Sequence, residues 1–371
     1  MRIERLILTA YRNYSHVELI FPENINLLIG KNAQGKTNLL ESLYLAILGR
    51  SYRTAHDEEL IQFDQSQSLV KIIFSTEQTD HEVTFRYTRH KKKEIFLNLT
   101  PIKQNELVGL FHAVLFSPDD LLLLKGSPAL RRRFIDIEFS QTNSSYYKLL
   151  IKYNRLLQQR NNLLKEIRER KATENLLPPW DLQLAEVGSY IVNRRLNSMK
   201  KLAMLSHLMH RKLTGNLETL TVKYVLHGFE GNEIPVERAE IKDWLSYCLE
   251  QNRQKDIWRG STSVGPHRDD LDFFIDQIDA KTYASQGQQR TAILALKLAE
   301  IEYIKSETGG YPLLLLDDVM SELDMSRRAY LLDFIKDRIQ TFITATDDRD
   351  FPENYGGKVY RVNQGAIAWK E

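Results

Sequence analysis

The stretch Gly30-Lys31-Asn32-Ala33-Gln34-Gly35-Lys36-Thr37 constrains this chain more than any other. It fits G-x-x-x-x-G-K-[ST], a loop whose backbone N–H groups turn inward around phosphate oxygens. Its surroundings are those such a loop needs. Ile25-Asn26-Leu27-Leu28-Ile29 is a short apolar run that reads as a buried strand, and residues 38–48 are apolar nearly all round. Gly49 closes that second run as a helix C-terminal glycine would. The pattern predicts an α/β fold in which the loop joins a strand to the N-terminus of a helix, where the partial positive charge favours anions. Lys36 would reach the β- and γ-phosphates of ATP, and the Thr37 hydroxyl would sit on Mg2+.

The second half of a nucleotide site lies far downstream. Leu313-Leu314-Leu315-Leu316-Asp317-Asp318 is an apolar strand ending in two carboxylates. Asp317 would hold the Mg2+ shell, and Asp318 would orient or deprotonate the attacking water. The separation between Thr37 and Asp317 is 280 residues. A compact kinase or small GTPase has no need of it. A head domain assembled from the two ends of the chain does.

What fills the gap is basic. Between Leu121 and Thr214, 18 lysines and arginines face 7 aspartates and glutamates, a net of +11, which leaves −9 for the rest of a chain whose total is +2. An imbalance of this size points to a polyanion partner. Tyr146, Leu150, Tyr153, Leu157, Leu164 and Ile167 follow 4-3 spacing, interrupted by Arg160 at a seam position. Pro178-Pro179 breaks this pattern, and a second helical run continues from Leu184 to Leu213. The expectation is an antiparallel helix pair, roughly 45 Å long at 1.5 Å per residue. Arg131-Arg132-Arg133 opens the helical stretch before it.

Elsewhere the pattern alternates. Residues 1–8, 17–21, 69–74, 82–87, 94–99, 113–116, 220–226, 271–275, 341–344 and 358–362 read as strands, and 236–252 and 287–306 as helices. Arg89-His90-Lys91-Lys92-Lys93 tips one hairpin, as either a solvated turn or a phosphate-contacting finger. Gly265-Pro266-His267-Arg268-Asp269-Asp270 is a strongly polar turn. The domain reading is a head from 1–118 and 263–371 with a mainly helical arm inserted at 119–262, of which 216–262 could belong to the head. One cysteine, Cys248, excludes an internal disulfide. The first residues interleave charge with apolar side chains, so they do not read as a signal peptide, and no apolar run approaches a membrane span. The chain reads as cytoplasmic, with no membrane partner.

Ala284-Ser285-Gln286-Gly287-Gln288 opens the helix before the carboxylate pair and resembles the L-S-G-G-Q signature of ABC-type ATPases. It departs at Ala284 and Gln286. Ser321-Glu322-Leu323-Asp324 resembles the D-loop that follows. The usual switch histidine is replaced by Thr346 or Asp347, and Ser117 to Asp119 stands roughly where a Q-loop glutamine would.

Taken together, Tyr11-Arg12-Asn13-Tyr14, the P-loop, residues 116–121, Gly126-Ser127-Pro128 with 131–136, 265–270, 285–290 and 313–324 are similar to the RecF family of bacterial DNA-repair ATPases, related to SMC-type heads. That resemblance implies an ABC/SMC-type head with a mixed sheet and a short helical arm. It implies an ATP site of Gly30 to Thr37 with Arg12 and Asn13, and catalysis by Asp318 with Lys36. A second copy would close the site through Ser285, Gln286, Gly287 and Gln288, with D-loop residues Ser321 and Asp324. It further implies an ATP-dependent homodimer with weak ATPase activity, acting as a switch. Gapped or junction DNA, single- and double-stranded, would be the ligand, and RecR, RecO and RecA the pathway partners. From the basic stretch, Arg131, Arg132, Arg133, Lys148, Lys152, Lys200 and Lys201 are the candidate DNA contacts. The alternatives are an ABC motor subunit of a membrane transporter and a metabolic P-loop kinase.

Overall fold

The five residues of strand Ile25–Ile29 are all buried, and this strand sits at the centre of one of three sheets in the computed structural model. The structure describes residues 2–75, 79–231, 234–347, 351 and 356–369. In chain order the strands are β1 (Arg2–Tyr11), β2 (Tyr14–Ile20), β3 (Ile25–Ile29), β4 (Gln67–Ser75), β5 (Asp80–Thr88), β6 (Glu94–Leu97), β7 (Thr100–Ile102) and β8 (Ala113–Phe116). They continue with β9 (Leu220–Val225), β10 (Asp270–Ile275), β11 (Ile278–Asp279), β12 (Leu313–Asp317), β13 (Thr341–Ala345), β14 (Gly357–Asn363) and β15 (Ala366–Trp369). The main helices are α1 (Lys36–Leu48), α2 (Pro128–Thr142), α3 (Ser144–Arg168), α4 (Pro178–Leu213), α5 (Arg238–Gln251), α6 (Arg253–Arg259), α7 (Gln286–Thr308) and α8 (Met325–Ile335).

The chain divides into two compact units, residues 1–120 with 300–371, and residues 121–299. The first holds two six-stranded sheets. One is antiparallel, in the order β2-β1-β4-β5-β6-β7. Its register bulges between Ile3 and Arg5, and Tyr11, Phe74 and Phe85 lie fully buried within it. The other runs β15-β14-β3-β13-β12-β8, with β14, β3, β13, β12 and β8 parallel and β15 antiparallel. Parallel strands covered on both faces should be apolar throughout. β3, β12 and β13 each carry five buried residues out of five. Helix α1 packs on this sheet and buries eleven of its thirteen residues. Gly49 caps it in the left-handed region, at φ 71°.

The last of the hairpin strands is shorter than its alternation suggests. β6 stops at Leu97, because Asn98 and Leu99 take positive φ (48° and 67°) to turn the chain into β7. Leu99 is therefore 80% exposed.

The second unit departs from a bare helix pair. Its three-stranded sheet, β11-β10-β9, pairs residues 220–225 with 270–275. That pairing ties the stretch after 263 to the inserted region, and the unit boundary falls at Ala299, inside α7, rather than at 263. Helix α2 begins at Pro128, ahead of the three arginines, with proline at a position that needs no N–H donor. Along α3 the buried seam is Tyr146, Tyr153, Leu156, Arg160, Leu164 and Ile167.

Arg160 belongs to that seam and does not interrupt it. Its guanidinium is fully buried, donating to Asp181 at 2.7 Å and to Asp256 and Thr262 at 2.8 and 2.9 Å. On α4, Arg195 does the same for the other end of the unit. It donates to Asp136 at 2.7 Å, to the Tyr146 hydroxyl at 3.0 Å and to the Pro266 carbonyl at 2.6 Å. Two buried arginines thus cross-link α2, α3, α4, α6 and the 262–270 turn.

Candidate functional site

The phosphate loop lies between β3 and α1, as its flanking sequence requires. Gly35 takes φ 116°, and a Cβ there would fall 2.5 Å from the Asn13 side chain. Gly30 has no room for one either, since a Cβ would lie 2.3 Å from the Val362 carbonyl oxygen. Neighbouring segments brace the loop. The Asn13 amide donates to the Gln34 carbonyl at 3.0 Å, Asn38 donates to Asn13 at 2.8 Å, and the buried Tyr14 hydroxyl donates to the Gly35 carbonyl at 3.0 Å. From the C-terminal hairpin, the Gly365 N–H donates to the Gln34 carbonyl at 3.2 Å and the Gln364 N–H to Gln34 Oε1 at 2.8 Å.

Lys36 Nζ donates to the carbonyls of Gly30 at 2.5 Å and Lys31 at 3.0 Å. Burial pulls its pKa down, against the attraction of Asp318 and Asp317. Thr37 Oγ1 donates to Asp317 Oδ1 at 3.0 Å, so the two residues separated by most of the chain meet. β13 lies between β3 and β12 and supplies Thr344, whose hydroxyl donates to the same Asp317 oxygen at 2.9 Å. Tyr52 donates to the other oxygen, Oδ2, at 2.9 Å. Tyr52 and Thr344 carry no motif, and sequence reading missed both.

Asp318 leaves the strand with φ 57°, a left-handed conformation that strains most L-residues and that Asp tolerates better than they do. Its amide is held by Thr344 Oγ1 at 2.8 Å. Burial raises its carboxyl pKa, Lys36 opposes the rise and Asp317 adds to it. A carboxyl whose pKa is raised this way is a better proton acceptor than a free aspartate. Ser321 donates to the Asp318 carbonyl at 2.9 Å, and Asp324 caps α8 by accepting the Arg327 N–H at 2.9 Å.

Arg12 is engaged with the helix that follows the loop. Two of its nitrogens bind both oxygens of the buried Glu41, at 2.8 and 3.0 Å, and a third binds the Glu59 carbonyl at 2.9 Å. Burial alone would lower its pKa, but the bond to Glu41 leaves it raised.

Thr37 and Asp317 offer hydroxyl and carboxylate oxygens side by side, the donor chemistry Mg2+ takes when phosphate and water complete its shell. The residues present therefore fit the ion. Among the described residues, no group of three or more His, Cys, Asp or Glu could hold a metal by itself.

In the second unit, Ser285 and Gln288 form a reciprocal cap. The Gln288 N–H donates to Ser285 Oγ at 3.2 Å and the Ser285 N–H to Gln288 Oε1 at 2.9 Å. Ser285, Gln286 and Gly287 are exposed, and a Cβ on Gly287 would meet nothing nearer than 4.0 Å.

The basic candidates separate under inspection. Arg131 is 2% exposed, binds both oxygens of Asp270 at 2.6 and 2.8 Å, and donates to the Leu123 and Gly126 carbonyls. It is a scaffold residue with no face left for a phosphate, which corrects its assignment as a DNA contact. Arg132 is half-buried on the Asp269 carbonyl at 2.9 Å. Arg133, Lys148, Lys152 and Lys200 are exposed, and Lys201 is half-buried.

With this geometry in hand, comparison with known proteins is decisive. A family model described as "RecF/RecN/SMC N terminal domain" matches residues 2–367. The chain belongs to this family. It is 45% identical over 374 residues to the "DNA replication and repair protein RecF" of Alkaliphilus oremlandii, covering 99% of this chain and 100% of that one. The protein of the same name from Clostridium beijerinckii is 41% identical, with 99% and 98% covered. Among solved structures, "Structure of the recombination mediator protein RecF-ATP in RecFOR pathway" superposes with a TM-score of 0.92 at 35% identity, covering 100% of this chain and 97% of that one. An SMC head bound to the C-winged helix domain of ScpA superposes at 0.59 with 15% identity, a likeness of fold. The family's ABC/SMC-type head, with a mixed sheet and an inserted mainly helical region, is the fold seen here. No helix among the described residues is long and apolar enough to cross a membrane.

Proposed function

We propose that this chain is an ATP-dependent DNA-binding protein of recombinational and replication-gap repair, in which bound ATP switches the protein onto DNA and slow hydrolysis releases it. The observation that carries the reading is the Thr37–Asp317 contact within a braced phosphate loop, in a chain 45% identical to a DNA replication and repair protein RecF. Relatives bearing that name favour it over a transporter motor.

Within the site, the roles follow from position. The inward-turned N–H groups of Gly30 to Thr37 and the start of α1 bind phosphate oxygens. Lys36 adds a cation whose charge Asp317 and Asp318 support. Thr37 and Asp317 would hold Mg2+, which neutralises charge on the β- and γ-phosphates when bound. Asp318 accepts the proton of the attacking water. Arg12, held on Glu41 and the Glu59 carbonyl, and Asn13, held between Gln34 and Asn38, serve ATP binding by bracing the entry of the loop.

The exposed signature supports closure by a second copy. Ser285 and the N-terminus of α7 offer donors to the γ-phosphate of the partner's ATP, and Ser321 and Asp324 flank that contact. Lys148, Lys152 and Arg155 are exposed at i, i+4 and i+7 on α3, one face of a helix, and with Arg133, Lys200 and Lys201 they hold DNA phosphates. Gapped or junction DNA is the ligand, and RecR and RecO are the partners that direct RecA to it.

Sedimentation of the wild type and Lys36→Met, with and without ATP and gapped duplex, tests this. The expected result is an ATP-dependent dimer that retains DNA, lost in the variant. A wild type that stays monomeric with ATP and ignores DNA overturns the reading.

A further inference from the structure

The hairpin tip between β5 and β6, in the first unit, presents cations that have no side-chain partners among the described residues. His90 takes φ 61°, its N–H donates to Glu58 Oε1 at 2.8 Å, and its ring lies 3.3 Å from the same carboxylate. This tight turn leaves Lys91 and Lys92 exposed and unpaired, while Lys93 folds back onto the Gly49 carbonyl at 2.9 Å and Asp57 at 3.4 Å. The Lys93 bond ties the hairpin to Gly49, and the next residue, Arg50, is half-buried with no side-chain partner among the described residues.

A second segment tied to the hairpin carries an aromatic ring. Arg89 donates to the carbonyls of Phe63 at 2.8 Å, Gln65 at 2.9 Å and Gln62 at 3.5 Å, which fixes the 62–65 backbone against the hairpin. Phe63 is 89% exposed. The ring is held out into water on a backbone that Arg89 ties to the same hairpin that carries the exposed lysines, so a flat apolar face and free cations are offered from one pinned element. Of the nearby acids, Glu58 and Asp57 are occupied by His90 and Lys93, leaving Asp64 and Glu59 as the opposing charges.

We propose that this tip is a contact for unpaired nucleotides, in which Phe63 stacks on an exposed base while Lys91, Lys92 and Arg50 hold the adjoining phosphates. Stacking needs a base freed from its duplex partner, and any base will serve, so the contact selects strand state rather than sequence. A protein surface would cover ring and lysines alike whatever the DNA, whereas a base-stacking contact depends on strand state, and that dependence is what separates the two. The inference rests on the DNA-binding reading and refines it, by naming a place where a gap differs from continuous duplex.

Fluorescence anisotropy with ATP present, on gapped and on continuous duplex, separates the two. Phe63→Ala should weaken binding to gapped DNA roughly tenfold, leave duplex binding unchanged and keep the salt dependence. Lys91→Ala with Lys92→Ala should reduce the slope of log affinity against log salt on gapped DNA by about one to two. Phe63→Trp should bind as wild type, with its fluorescence quenched by gapped DNA and untouched by duplex. If the Phe63→Ala variant binds gapped DNA like wild type, or loses gapped and continuous duplex equally, the proposal is wrong. If the wild type binds neither DNA, the broader reading fails with it.

Discussion

The Tyr52 hydroxyl donates to Oδ2 of Asp317 at 2.9 Å, while Thr37 and Thr344 donate to Oδ1. All the hydrogen-bonding groups on the carboxylate are therefore placed by three different segments. Tyr52 is half-buried and packs edge-on against Tyr44 at 5.2 Å, and desolvation together with Asp317 keeps its phenol protonated far above the physiological range. A donor so fixed orients the carboxylate for the ion that Thr37 and Asp317 would share.

Tyr52→Phe keeps the ring and removes only the donor. The expected outcome is a fold and melting temperature close to wild type, with the Mg2+ concentration for half-maximal ATP binding raised about tenfold. Titrating Mg2+ against a fluorescent ATP analogue measures it. An unchanged midpoint would show that Tyr52 does not act on the site.

Asp318→Asn should bind ATP and remain on DNA, while hydrolysis falls at least about a hundredfold. The same carboxyl sets the acid limb of the rate profile. Burial raises its pKa, so the ionised base is lost on acidification sooner than an exposed aspartate would be. For stability the sign is reversed. A raised carboxyl favours the neutral form, its charge costs stability at neutral pH, and protonation relieves that cost. Turnover measured between pH 4 and 8 checks the first point, and denaturant midpoints over the same range check the second.

Gly365→Ala tests the hairpin behind the phosphate loop. Gly365 sits at φ 79°, and a Cβ would lie 2.3 Å from the Asn13 carbonyl oxygen. The substitution should cost about 1–3 kcal/mol and weaken ATP binding through Gln34. A variant with unaltered melting and ATP affinity would mean the hairpin gives the loop no support.

Arg131→Met and Arg133→Ala should behave oppositely. The first breaks a buried bidentate pair whose partner, Asp270, is partly in water, and should destabilise by up to about 3 kcal/mol without changing the salt slope of DNA binding. The second should leave stability alone and flatten that slope by about one. A reduced slope in folded Arg131→Met would restore Arg131 as a DNA contact.

His267 should contribute an acid-sensitive element. Its Nε2 faces the Thr262 carbonyl at 3.1 Å and its Nδ1 the Tyr153 hydroxyl at 2.8 Å, and burial first, then nearby arginines, push its pKa down to about 4. Because the folded value lies below the ordinary 6.5, the contribution is complete above pH 6.5 and is lost as pH falls toward 4, about 3 kcal/mol in all. His267→Gln should flatten the stability profile across that window, as chemical denaturation would record.

How much of this was legible in the sequence depended on distance along the chain. The phosphate loop announced its strand and helix because the signals are adjacent, and the leucines at 313–316, closed by two carboxylates, read as the buried strand that β12 is. Arg131 looked like a DNA contact because a basic triplet shows its charge, whereas the aspartate that neutralises it comes 139 residues later. Arg160 read as a fault in a helical seam for the same reason, its acids lying on α4 and α6. The pairing of β9 with β10 moved a domain boundary that local pattern had placed at 263. Tyr52 and Thr344 had no signal, since a single hydroxyl near a carboxylate is defined by the fold alone.

The central position of β3 has a consequence for how the protein is made. Its neighbours are β13 and β14, so the strand that launches the phosphate loop finds both of its partners only after residue 340. The antiparallel sheet of β1, β2 and β4 to β7 closes within the first 102 residues and can form early during synthesis. Until those residues have been made, the loop waits with an unpaired strand behind it. Competence to hold nucleotide is thereby withheld until the stretch beyond residue 340 has been synthesised.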